Sequence, residues 1–349
     1  MSTVHVRASG SYDVVIASGC LQELGSRTAA LVKGRKVCVV SDDAVYALHG
    51  AKAAESLQAA GFAVSTFVFP HGEQSKNGQT FLELVNALAE AGLTRSDVLV
   101  ALGGGVTGDL TGFASACYLR GIACVQVPTS LLAMVDSSVG GKTAIDLPAG
   151  KNLCGAFCQP KLVLCDPELL QTLPSDIFRD GCAEVIKYAI LGDKPLFDKL
   201  KNGISDDLEA VITACVDAKR QLVEEDEFDT GSRQFLNLGH TLGHAVELGS
   251  DFTLSHGQAV SVGMSMMARA AAKFGFCTES TRDEILDMLT RYGLPIATDQ
   301  NDEDICRVAL GDKKRRGGTI TLVVPRAIGD CVLHPVSVEE LPQWVQAGR

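Results

Sequence analysis

The first half of the chain alternates short apolar runs with amphipathic segments. The runs are rich in Val and Leu, and they predict strands at 37–42, 63–69, 98–105, 123–128 and 161–166. Segments with apolar residues at helical spacing separate the first three runs, and one of them, QTFLELVNALAEAG, ends on Gly92. Such strands alternating with amphipathic helices are typical of a mostly parallel sheet that is covered on both faces.

From about residue 174 onward, helical spacing dominates the chain. It is clearest at 208–227, 241–249, 259–275 and 282–293, whereas 317–325 (GGTITLVVP) predicts one late strand. We therefore expect an α/β half over residues 1–173, followed by a mainly α-helical half over residues 174–349.

Size and composition narrow the class of protein. A chain of 349 residues corresponds to two domains at ~150 residues per domain, and it can bury a core without disulfide or metal staples. No stretch reaches the ~18 consecutive apolar residues of a membrane-spanning helix, and the N-terminus lacks the basic start and apolar block of a signal peptide. We therefore expect a cytoplasmic globular protein without a membrane partner.

Charge and cysteine usage bear on partners and compartment. Asp and Glu total 42 against 31 Lys and Arg, and the formal net charge of −11 disfavours broad nucleic-acid binding. A small anionic ligand in a local basic pocket is compatible with this charge. The 12 cysteines are scattered and form no CxxC pair, so we interpret all of them as small buried apolar residues in a reducing compartment.

A glycine-rich segment ends the run at 98–105. Residues 103–109 (GGGVTGD) fit G-x-G-x-x-G between a strand and a helix, where glycines let the backbone approach a phosphate and the helix N-terminus supplies N–H donors. The acidic residue that a dinucleotide site usually has ~20 positions later is absent from the sequence. A phosphate-binding turn and an ordinary tight turn therefore fit this pattern about equally well.

A second glycine-rich segment, VDSSVGGKT, ends like a P-loop. Asp136 stands where that motif needs its first glycine, which argues against a nucleotide triphosphatase. Lys142, Lys151 and Asn152 follow among glycines, and this composition suits an anionic ligand. The basic run DKKRRGG (312–318) is compatible either with a solvated surface or with a loop that closes over an anion.

Three of the seven histidines fall in one short window. His240 and His244 are four residues apart on one helical face, and His256 follows in LSHGQ. Such imidazoles predict a divalent-metal site, whereas the glutamate of the HExxH protease motif is missing. Glu184 and Lys187 in GCAEVIKY form either a surface ion pair or a metal-binding carboxylate beside an ammonium, and their apolar flanks favour the second interpretation.

Taken together, these segments resemble the 3-dehydroquinate synthase family. GGGVTGDLTGFASACYLRGI, VPTSLLAMVDSSVGGKTAIDLPAGKN, AEVIKY and NLGHTLGHAVE occur in the family's order and spacing, and HG after Ser255 and the late DKK complete the set. The resemblance extends over nearly the whole chain. It implies a Rossmann-like NAD-binding domain at 1–173 and a mainly helical metal- and substrate-binding domain at 174–349.

The resemblance also implies a reaction. The family is a group of lyases that use NAD and a zinc or cobalt ion to convert 3-deoxy-D-arabino-heptulosonate 7-phosphate to 3-dehydroquinate and phosphate, in the shikimate pathway of aromatic amino acid biosynthesis. NAD oxidises the C5 alcohol, phosphate leaves by elimination, the ketone is reduced back, and ring opening precedes an intramolecular aldol closure. A homodimer is implied as well, because the residue matching Arg120 reaches across a dimer interface in related enzymes.

The family's functional positions fall on specific residues of this chain. The implied metal ligands are Glu184, His240 and His256. The implied cofactor-binding residues are Asp42, His71, Gly72, Glu73, Gln74, Ser75, Lys76, Gly105, Val106, Thr107, Gly108, Asp109, Thr129, Ser130, Lys142, Lys151, Leu169, Leu170, Gln171 and Thr172. The implied substrate-binding residues are Arg120, Asp136, Lys142, Asn152, Lys187, Lys219, Arg233, Asn237, and Lys313 or Lys314. The implied catalytic residues are His244, Lys142, Lys187 and Asp229.

Three positions depart from the family pattern. Asp229 stands where a glutamate is common, Gln258 replaces the glutamate usual after HG, and Ala44 replaces a common cofactor-contacting asparagine. These departures leave the implied metal ligands intact and bear on proton transfer and on NAD affinity.

Two other activities of the same fold are alternatives, namely another sugar-phosphate cyclase and a metal-dependent polyol dehydrogenase. Sedoheptulose 7-phosphate and glucose 6-phosphate lack a carboxylate, so the basic pair Lys219 and Arg233, which the resemblance assigns to a substrate carboxylate, argues against cyclases of this kind. A dehydrogenase would release NADH. A non-catalytic NAD- or metal-binding module would need no basic residues from both halves of the chain.

Overall fold

A computed structural model describes residues 1–204, 207–250, 253–311 and 318–349. The strands are β1 (Ser2–Arg7), β2 (Ser11–Ile16), β3 (Lys36–Asp42), β4 (Ala63–Phe69), β5 (Val98–Gly103), β6 (Ala123–Pro128), β7 (Lys142–Leu147), β8 (Gly150–Phe157), β9 (Leu162–Cys165), β10 (Thr319–Ala327) and β11 (Asp330–Ser337). The α-helices are α1 (Leu24–Leu31), α2 (Asp43–Val45), α3 (Ala51–Ala59), α4 (Gly78–Glu90), α5 (Gly105–Cys117), α6 (Ser175–Gly192), α7 (Lys194–Leu200), α8 (Leu208–Glu225), α9 (His240–Gly249), α10 (His256–Lys273), α11 (Glu279–Arg291), α12 (Asp302–Leu310) and α13 (Leu341–Ala347).

A mostly parallel sheet organises the first half of the chain, as the sequence predicts. In the described ranges, seven strands form this sheet in the order β1-β2-β9-β6-β5-β3-β4. β1 pairs antiparallel with β2, and the other neighbouring strands pair in parallel. All six residues of β5 are buried, which explains why this central strand is a continuous apolar run.

The order of the parallel strands reverses between β3 and β5. β3 pairs with β4 on one side and with β5 on the other, so that the chain moves outward from this point in both directions. Ligands of open parallel sheets bind beyond the carboxyl ends of the strands at such a switch point. Asp42, the last residue of β3, and Gly103, the last residue of β5, therefore lie at the edge where a ligand is expected.

By its internal contacts the chain divides into two compact units. The first contains Met1–Pro174 and Leu208–Phe228, and the second contains Ser175–Asp207 and Asp229–Arg349. α8 thus packs within the first unit, against β1 and β2, although it follows the predicted boundary at residue 173 along the chain. Helical spacing identifies α8 as a helix, but it does not say which core receives its apolar face.

The second unit is mainly helical, as predicted. It consists of α6, α7, α9 to α13 and the antiparallel pair β10–β11. The predicted late strand at 317–325 corresponds to β10, and its partner β11 is an addition to the prediction. The core of this unit joins α9, α10, α12, α13 and both strands around side chains such as Trp344 and Leu322.

The strands that the sequence did not predict are β1, β2, β7, β8 and β11. In β8 (GKNLCGAF), no residue is fully buried, so the strand carries no apolar run and is held by its pairing with β7. In β1, only Val4 and Val6 are buried, and two valines are too short a pattern to read as a strand.

Two expectations about environment have structural counterparts. No helix in the described part of the chain is long and apolar enough to cross a membrane. All 12 cysteines lie in the described ranges as free thiols. The interpretation that every cysteine is buried is wrong for Cys117, which is exposed, and for Cys154, Cys158 and Cys277, which are partly exposed.

Candidate active site

Three helices of the second unit bring together one carboxylate and two imidazoles. Glu184 lies in the middle of α6, His240 is the first residue of α9, and His256 is the first residue of α10. The Nε2 atoms of His240 and His256 lie 3.3 Å and 3.2 Å from Glu184 Oε1. Donor atoms of all three residues lie within 4.8 Å of one another, which is the arrangement that a bound divalent cation needs.

Glycines allow α9 and α10 to pack closely enough for this convergence. A Cβ on Gly263 would collide with the carbonyl oxygen of Gly239, and a Cβ on Gly243 would lie 2.8 Å from the carbonyl oxygen of Ala259. Gly239 also has a φ of +77°, a conformation that glycine adopts without strain, and this turn leads directly into α9. The close approach of the two helices places their first residues, both histidines, side by side.

The start of α10 is fixed to α6 by backbone contact and capping. A Cβ on Gly257 would collide with the carbonyl oxygen of Asp180. The Asp180 carboxylate accepts hydrogen bonds from the Ser255 hydroxyl and, at 3.1 Å, from the Gln258 N–H. Gln258 also accepts a hydrogen bond from the Ser255 N–H, so glutamine at this position still completes a capping box. These contacts hold His256 over the middle of α6.

Glu184 and Lys187 form a buried ion pair. Lys187 Nζ lies 2.5 Å from Glu184 Oε2, and both side chains are 1% exposed. Burial would raise the pKa of Glu184, but the Lys187 ammonium and the His240 and His256 imidazoles hold it well below its ordinary value. The pair is therefore not the exposed surface pair of the alternative interpretation, and Glu184 is an ionised carboxylate suited to a metal ion.

The second ring nitrogen of each clustered histidine also faces an acceptor. His240 Nδ1 lies 3.1 Å from the carbonyl oxygen of Leu238, which leaves the other ring nitrogen, Nε2, directed at Glu184. His256 Nδ1 lies 3.8 Å from Glu247 Oε2. Burial lowers the pKa of His256, but Glu184 and Glu247 together raise it to about 10. A metal ion that binds at Nε2 therefore displaces a proton.

Other predicted residues of the second unit lie on neighbouring segments. The ring of the exposed His244 lies 5.3 Å from that of His240 and 5.8 Å from that of His256. Arg233, 1% exposed, and Asn237, exposed, belong to the 3-10 turn Ser232–Asn237, which ends just before α9. Asp229 has a φ of +59°. Lys313 and Lys314 lie outside the described residues.

The glycine-rich turn joins β5 to α5 in the first unit. A Cβ on Gly104 would lie 3.4 Å from Ser130 Oγ, and a Cβ on Gly105 would lie 3.3 Å from Ser137 Oγ. The bare backbone leaves the first N–H groups of the 13-residue helix open to an anion. Thr107 Oγ1 lies 3.5 Å from Asp42 Oδ2, so the acid that is missing after the turn in sequence stands beside it at the end of β3.

Lys76, Asp109 and Asn152 form a buried polar network in the same unit. Lys76 Nζ donates to Asp109 Oδ2 at 2.5 Å and to Asn152 Oδ1 at 2.6 Å. Burial would lower the pKa of Lys76, but the carboxylates of Asp109, Glu73 and Asp146 raise it, and Lys76 stays protonated. Asn152 has a φ of +56°, and its N–H donates to Asp146 Oδ1 at 2.7 Å. This network joins residues that the resemblance assigned separately to cofactor and to phosphate.

Lys219 on α8 pairs with Asp136. Lys219 Nζ donates to the Asp136 carbonyl oxygen at 2.7 Å and to its carboxylate, and the lysine is 6% exposed. Both residues belong to the first unit, whereas Arg233, the other residue assigned to the substrate carboxylate, belongs to the second. The structure therefore pairs Lys219 with a second residue that the resemblance assigns to substrate.

The remaining predicted residues of the first unit lie on its loops and turns. Asp43 Oδ1 accepts the backbone N–H of His71 at 2.9 Å and lies 2.8 Å from His71 Nδ1. Lys151 Nζ lies 3.6 Å from Glu73 Oε1. Further positions are the buried Ser75, Thr129, Ser130, Leu169 and Leu170, the exposed Gly72, Gln74, Gln171, Thr172, Lys142 and Arg120, and the partly exposed Val106 and Gly108.

Sequence reasoning missed Asp180, Asp146 and Glu247. Asp180 accepts the backbone N–H of Gln258, a residue far along the chain, and Asp146 accepts that of Asn152, six residues later; neither contact follows from a sequence motif. Glu247 follows His244 by three residues in the quoted motif NLGHTLGHAVE, and a carboxylate at that spacing was the available signal.

Comparisons with known proteins bear on the family. The family model described as 3-dehydroquinate synthase N-terminal matches residues 66–180, and the one described as 3-dehydroquinate synthase C-terminal matches residues 181–315. The chain belongs to the 3-dehydroquinate synthase family. The resemblance found in the sequence is confirmed.

Relatives within the 3-dehydroquinate synthase family match over almost their whole length. The 3-dehydroquinate synthase of Clostridium acetobutylicum is 42% identical, with 96% of each chain covered. That of Pelobacter propionicus is 45% identical, with 95% of each chain covered.

Solved structures share the fold of this chain. A 2-deoxy-scyllo-inosose synthase complexed with carbaglucose-6-phosphate, NAD+ and Co2+ has a TM-score of 0.89 at 25% identity, over 100% of both chains. ValA, a 2-epi-5-epi-valiolone synthase from Streptomyces hygroscopicus subsp. jinggangensis with NAD+ and Zn2+ bound, has a TM-score of 0.88 at 28% identity, over 99% of this chain and 98% of that one. The Rossmann-like and helical fold class expected from the sequence is confirmed.

Proposed function

We propose that this protein converts 3-deoxy-D-arabino-heptulosonate 7-phosphate to 3-dehydroquinate and phosphate, with NAD and one divalent metal ion. One observation carries the proposal. Glu184, His240 and His256 converge as a cation site in a chain that is 42% and 45% identical to two 3-dehydroquinate synthases over nearly its full length.

The donor set fits a zinc or cobalt ion. One carboxylate oxygen and two imidazole nitrogens are ligands that both ions accept, and three protein ligands leave positions open for a substrate. The solved structures named above contain Co2+ in the first case and Zn2+ in the second. The buried, ionised Glu184 supports the same assignment.

The first unit fits NAD. The glycine-rich turn presents the N-terminus of α5 at the switch point of the parallel sheet, with Asp42 beside it at the end of β3. A pyrophosphate on the helix N-terminus and a ribose hydroxyl on Asp42 would use these two features. Both solved relatives bind NAD+.

The side chains of this protein bind the substrate and move its protons. When bound, NAD accepts and returns a hydride, and the metal ion polarises the substrate hydroxyls. Lys219 and Arg233, both almost fully buried, are cations matched to a carboxylate, and His244 is exposed beside the cluster where it can take up and release a proton. Lys187 holds Glu184 in its charged form.

The phosphate group of the substrate would be held by Arg120, Asn152 and Asn237. Arg120 and Asn237 are exposed, and Asn152 is oriented by its hydrogen bond to Lys76. In this scheme Lys142 and Asp136 contact the substrate hydroxyls, and Asp229 takes part in proton transfer with a reach one methylene shorter than a glutamate. Hydrogen bonds to the departing phosphate favour elimination because they spread its negative charge.

We also propose a cytoplasmic homodimer with Arg120 at the interface. Arg120 has a φ of +66° and follows Leu119, which has a φ of +52° and is 41% exposed. A strained, exposed turn that presents an apolar and a cationic side chain is suited to a partner chain. The free thiols are consistent with a reducing compartment.

The two alternative activities have weaker support. The 2-deoxy-scyllo-inosose synthase and the 2-epi-5-epi-valiolone synthase are 25% and 28% identical to this chain. The two 3-dehydroquinate synthases are 42% and 45% identical to it. A glycerol dehydrogenase from Schizosaccharomyces pombe is 16% identical with a TM-score of 0.66, a likeness that concerns the fold alone.

Phosphate release tests the proposal. With the heptulosonate phosphate and NAD, we expect phosphate release without net accumulation of NADH, loss of activity after EDTA treatment, and recovery with zinc or cobalt. Glucose 6-phosphate and sedoheptulose 7-phosphate serve as control substrates and should release none. Activity that survives complete metal removal, turnover of a control substrate, or stoichiometric NADH would each contradict the proposal.

A further inference from the structure

Glu247 is a buried carboxylate that none of the roles described above explains. It lies in the last turn of α9, two residues before the helix ends at Gly249, and is 5% exposed. Its Oε2 lies 3.8 Å from His256 Nδ1. The helix therefore supplies His240 to the cluster at its first residue and a carboxylate to the other histidine two turns later.

The position of Glu247 is electrostatically unfavourable in the absence of a cationic partner. Burial removes the hydration of a carboxylate, and the C-terminal turn of a helix carries the negative end of the helix dipole. Both effects oppose an ionised glutamate at this site. The imidazole of His256, which the Glu247 carboxylate faces at 3.8 Å, offers it an N–H donor at Nδ1.

Each of the two clustered histidines faces an oxygen with both ring nitrogens, and the Nδ1 contact is 3.1 Å for His240 and 3.8 Å for His256. His240 directs Nδ1 to the carbonyl oxygen of Leu238 and Nε2 to Glu184 Oε1. His256 directs Nδ1 to Glu247 Oε2 and Nε2 to the same Glu184 oxygen. In metal sites of this kind, an acceptor on the second nitrogen fixes the tautomer and the ring orientation of the ligand.

We propose that Glu247 is a positioning residue for the metal site. With a cation at Nε2, its carboxylate attracts the Nδ1–H of His256 across the 3.8 Å contact, keeps the Nε2 lone pair directed at the cation, and makes that nitrogen a stronger donor. The inference rests on the metal-binding part of the proposed function. It adds a fourth side chain to the three ligands, and this side chain affects metal affinity without touching the ion.

A second donor set competes with this interpretation. Donor atoms of His244, Glu247 and His256 also lie within 4.8 Å of one another, so Glu247 could itself be a ligand. The first arrangement is favoured because both Nε2 atoms converge on one oxygen of the buried, ionised Glu184, whereas His244 is exposed. The two arrangements predict different variants to be decisive.

Zinc affinity, measured by competition with a chromogenic chelator on the whole metal-free protein, tests the inference. Glu247→Gln, which keeps the shape and removes the charge, should bind Zn2+ about 10- to 100-fold more weakly than the unaltered protein. Glu247→Asp keeps the charge and should recover part of that loss. Glu279→Gln, the same change at an exposed residue of α11, is the matched control and should bind zinc normally.

Two further measurements keep the test decisive. Thermal unfolding of the metal-free variants checks that they fold, and Glu247→Asp replaces Glu247→Gln if the latter does not. The absorption spectrum of bound Co2+ should remain in Glu247→Gln and should be lost in Glu184→Gln, because Glu184 is a ligand of the ion and Glu247 is not.

The possible results distinguish failure of the inference from failure of the proposed function. Unchanged zinc affinity in Glu247→Gln would overturn the inference and leave the proposed function standing. Loss of the Co2+ spectrum as complete as in Glu184→Gln would make Glu247 a direct ligand and would also overturn it. Failure of the unaltered protein to bind one zinc ion per chain would overturn the proposed function and the inference together.

Discussion

Lys187 Nζ lies 2.5 Å from Glu184 Oε2, and neither side chain is more than 1% exposed. The lysine is thus the fixed counter-charge of the carboxylate around which the two imidazoles are arranged. Removing one partner of a buried ion pair leaves the other charge uncompensated, which typically costs about 3–5 kcal/mol.

Lys187→Met should therefore lower the free energy of unfolding of the metal-free protein by about 3–5 kcal/mol. Added zinc should restore part of this loss, because the cation replaces the ammonium as the counter-charge of Glu184. Urea unfolding with and without zinc measures both effects. An unchanged free energy of unfolding in the metal-free protein would show that Glu184 does not depend on Lys187.

Gly263→Ala should disturb the metal site through the backbone. The added Cβ would meet the carbonyl oxygen of Gly239 and push α9 away from α10, at a cost of about 1–3 kcal/mol for overpacking. Zinc affinity should fall as well, because the two helices carry one ligand histidine each. Gly192→Ala is the matched control, since no atom lies within 4 Å of its added Cβ and its stability should stay within about 0.5 kcal/mol. Equal behaviour of the two variants would contradict the packing argument.

The pair of His71 and Asp43 predicts a pH dependence at the loop HGEQSK. The hydrogen bond between them raises the pKa of His71 above 6.5 and lowers the pKa of Asp43 below 3.8. The stability that protonated His71 contributes to the folded protein is fully present below pH 6.5 and is lost as pH rises through the raised pKa. The stability that ionised Asp43 contributes is fully present above pH 3.8 and is lost as pH falls through the lowered pKa.

NMR titration of His71 checks this pair. In Asp43→Asn the pKa of His71 should move back toward 6.5, because the charged partner is gone. If His71 titrates identically in the variant, the hydrogen bond does not form in solution. Both residues are exposed, so the overall stability should change little.

Arg233→Ala should weaken substrate binding and spare NAD binding. Loss of a charge-assisted hydrogen bond to the carboxylate costs about 1.5–3 kcal/mol, which corresponds to roughly a 10- to 100-fold rise in the substrate KM. The substrate KM of Arg233→Lys, which keeps the charge, should lie between those of the unaltered protein and of Arg233→Ala. NAD affinity is measured separately by fluorescence titration. A parallel loss of NAD affinity would remove the carboxylate assignment.

Local patterns predicted much of the fold. The glycine-rich turn is identifiable because β5 is a continuous apolar run and Gly103 to Gly105 directly precede a helix. The packing of α8 in the first unit was not predictable, because helical spacing reports an apolar face and not its partner. The strand β8 was not predicted either, because it has no buried residue and depends on its pairing with β7.

The same distinction between local patterns and distant contacts applies to the residues of the site. His240 and His244 share a helix and reveal themselves by spacing, whereas the convergence of Glu184 with His256 depends on glycine contacts between helices that are distant in sequence. Asp42 was expected to bind the cofactor only through the family resemblance. Its place beside Thr107 follows from the reversal of strand order between β3 and β5, which no local segment encodes.

Anomalous X-ray diffraction from crystals grown with zinc tests the central claim most directly. The account predicts one strong peak per chain, within about 2.0–2.2 Å of Glu184 Oε1, His240 Nε2 and His256 Nε2. A peak between His244, Glu247 and the Nδ1 atom of His256, or no peak in this cluster at all, would contradict it.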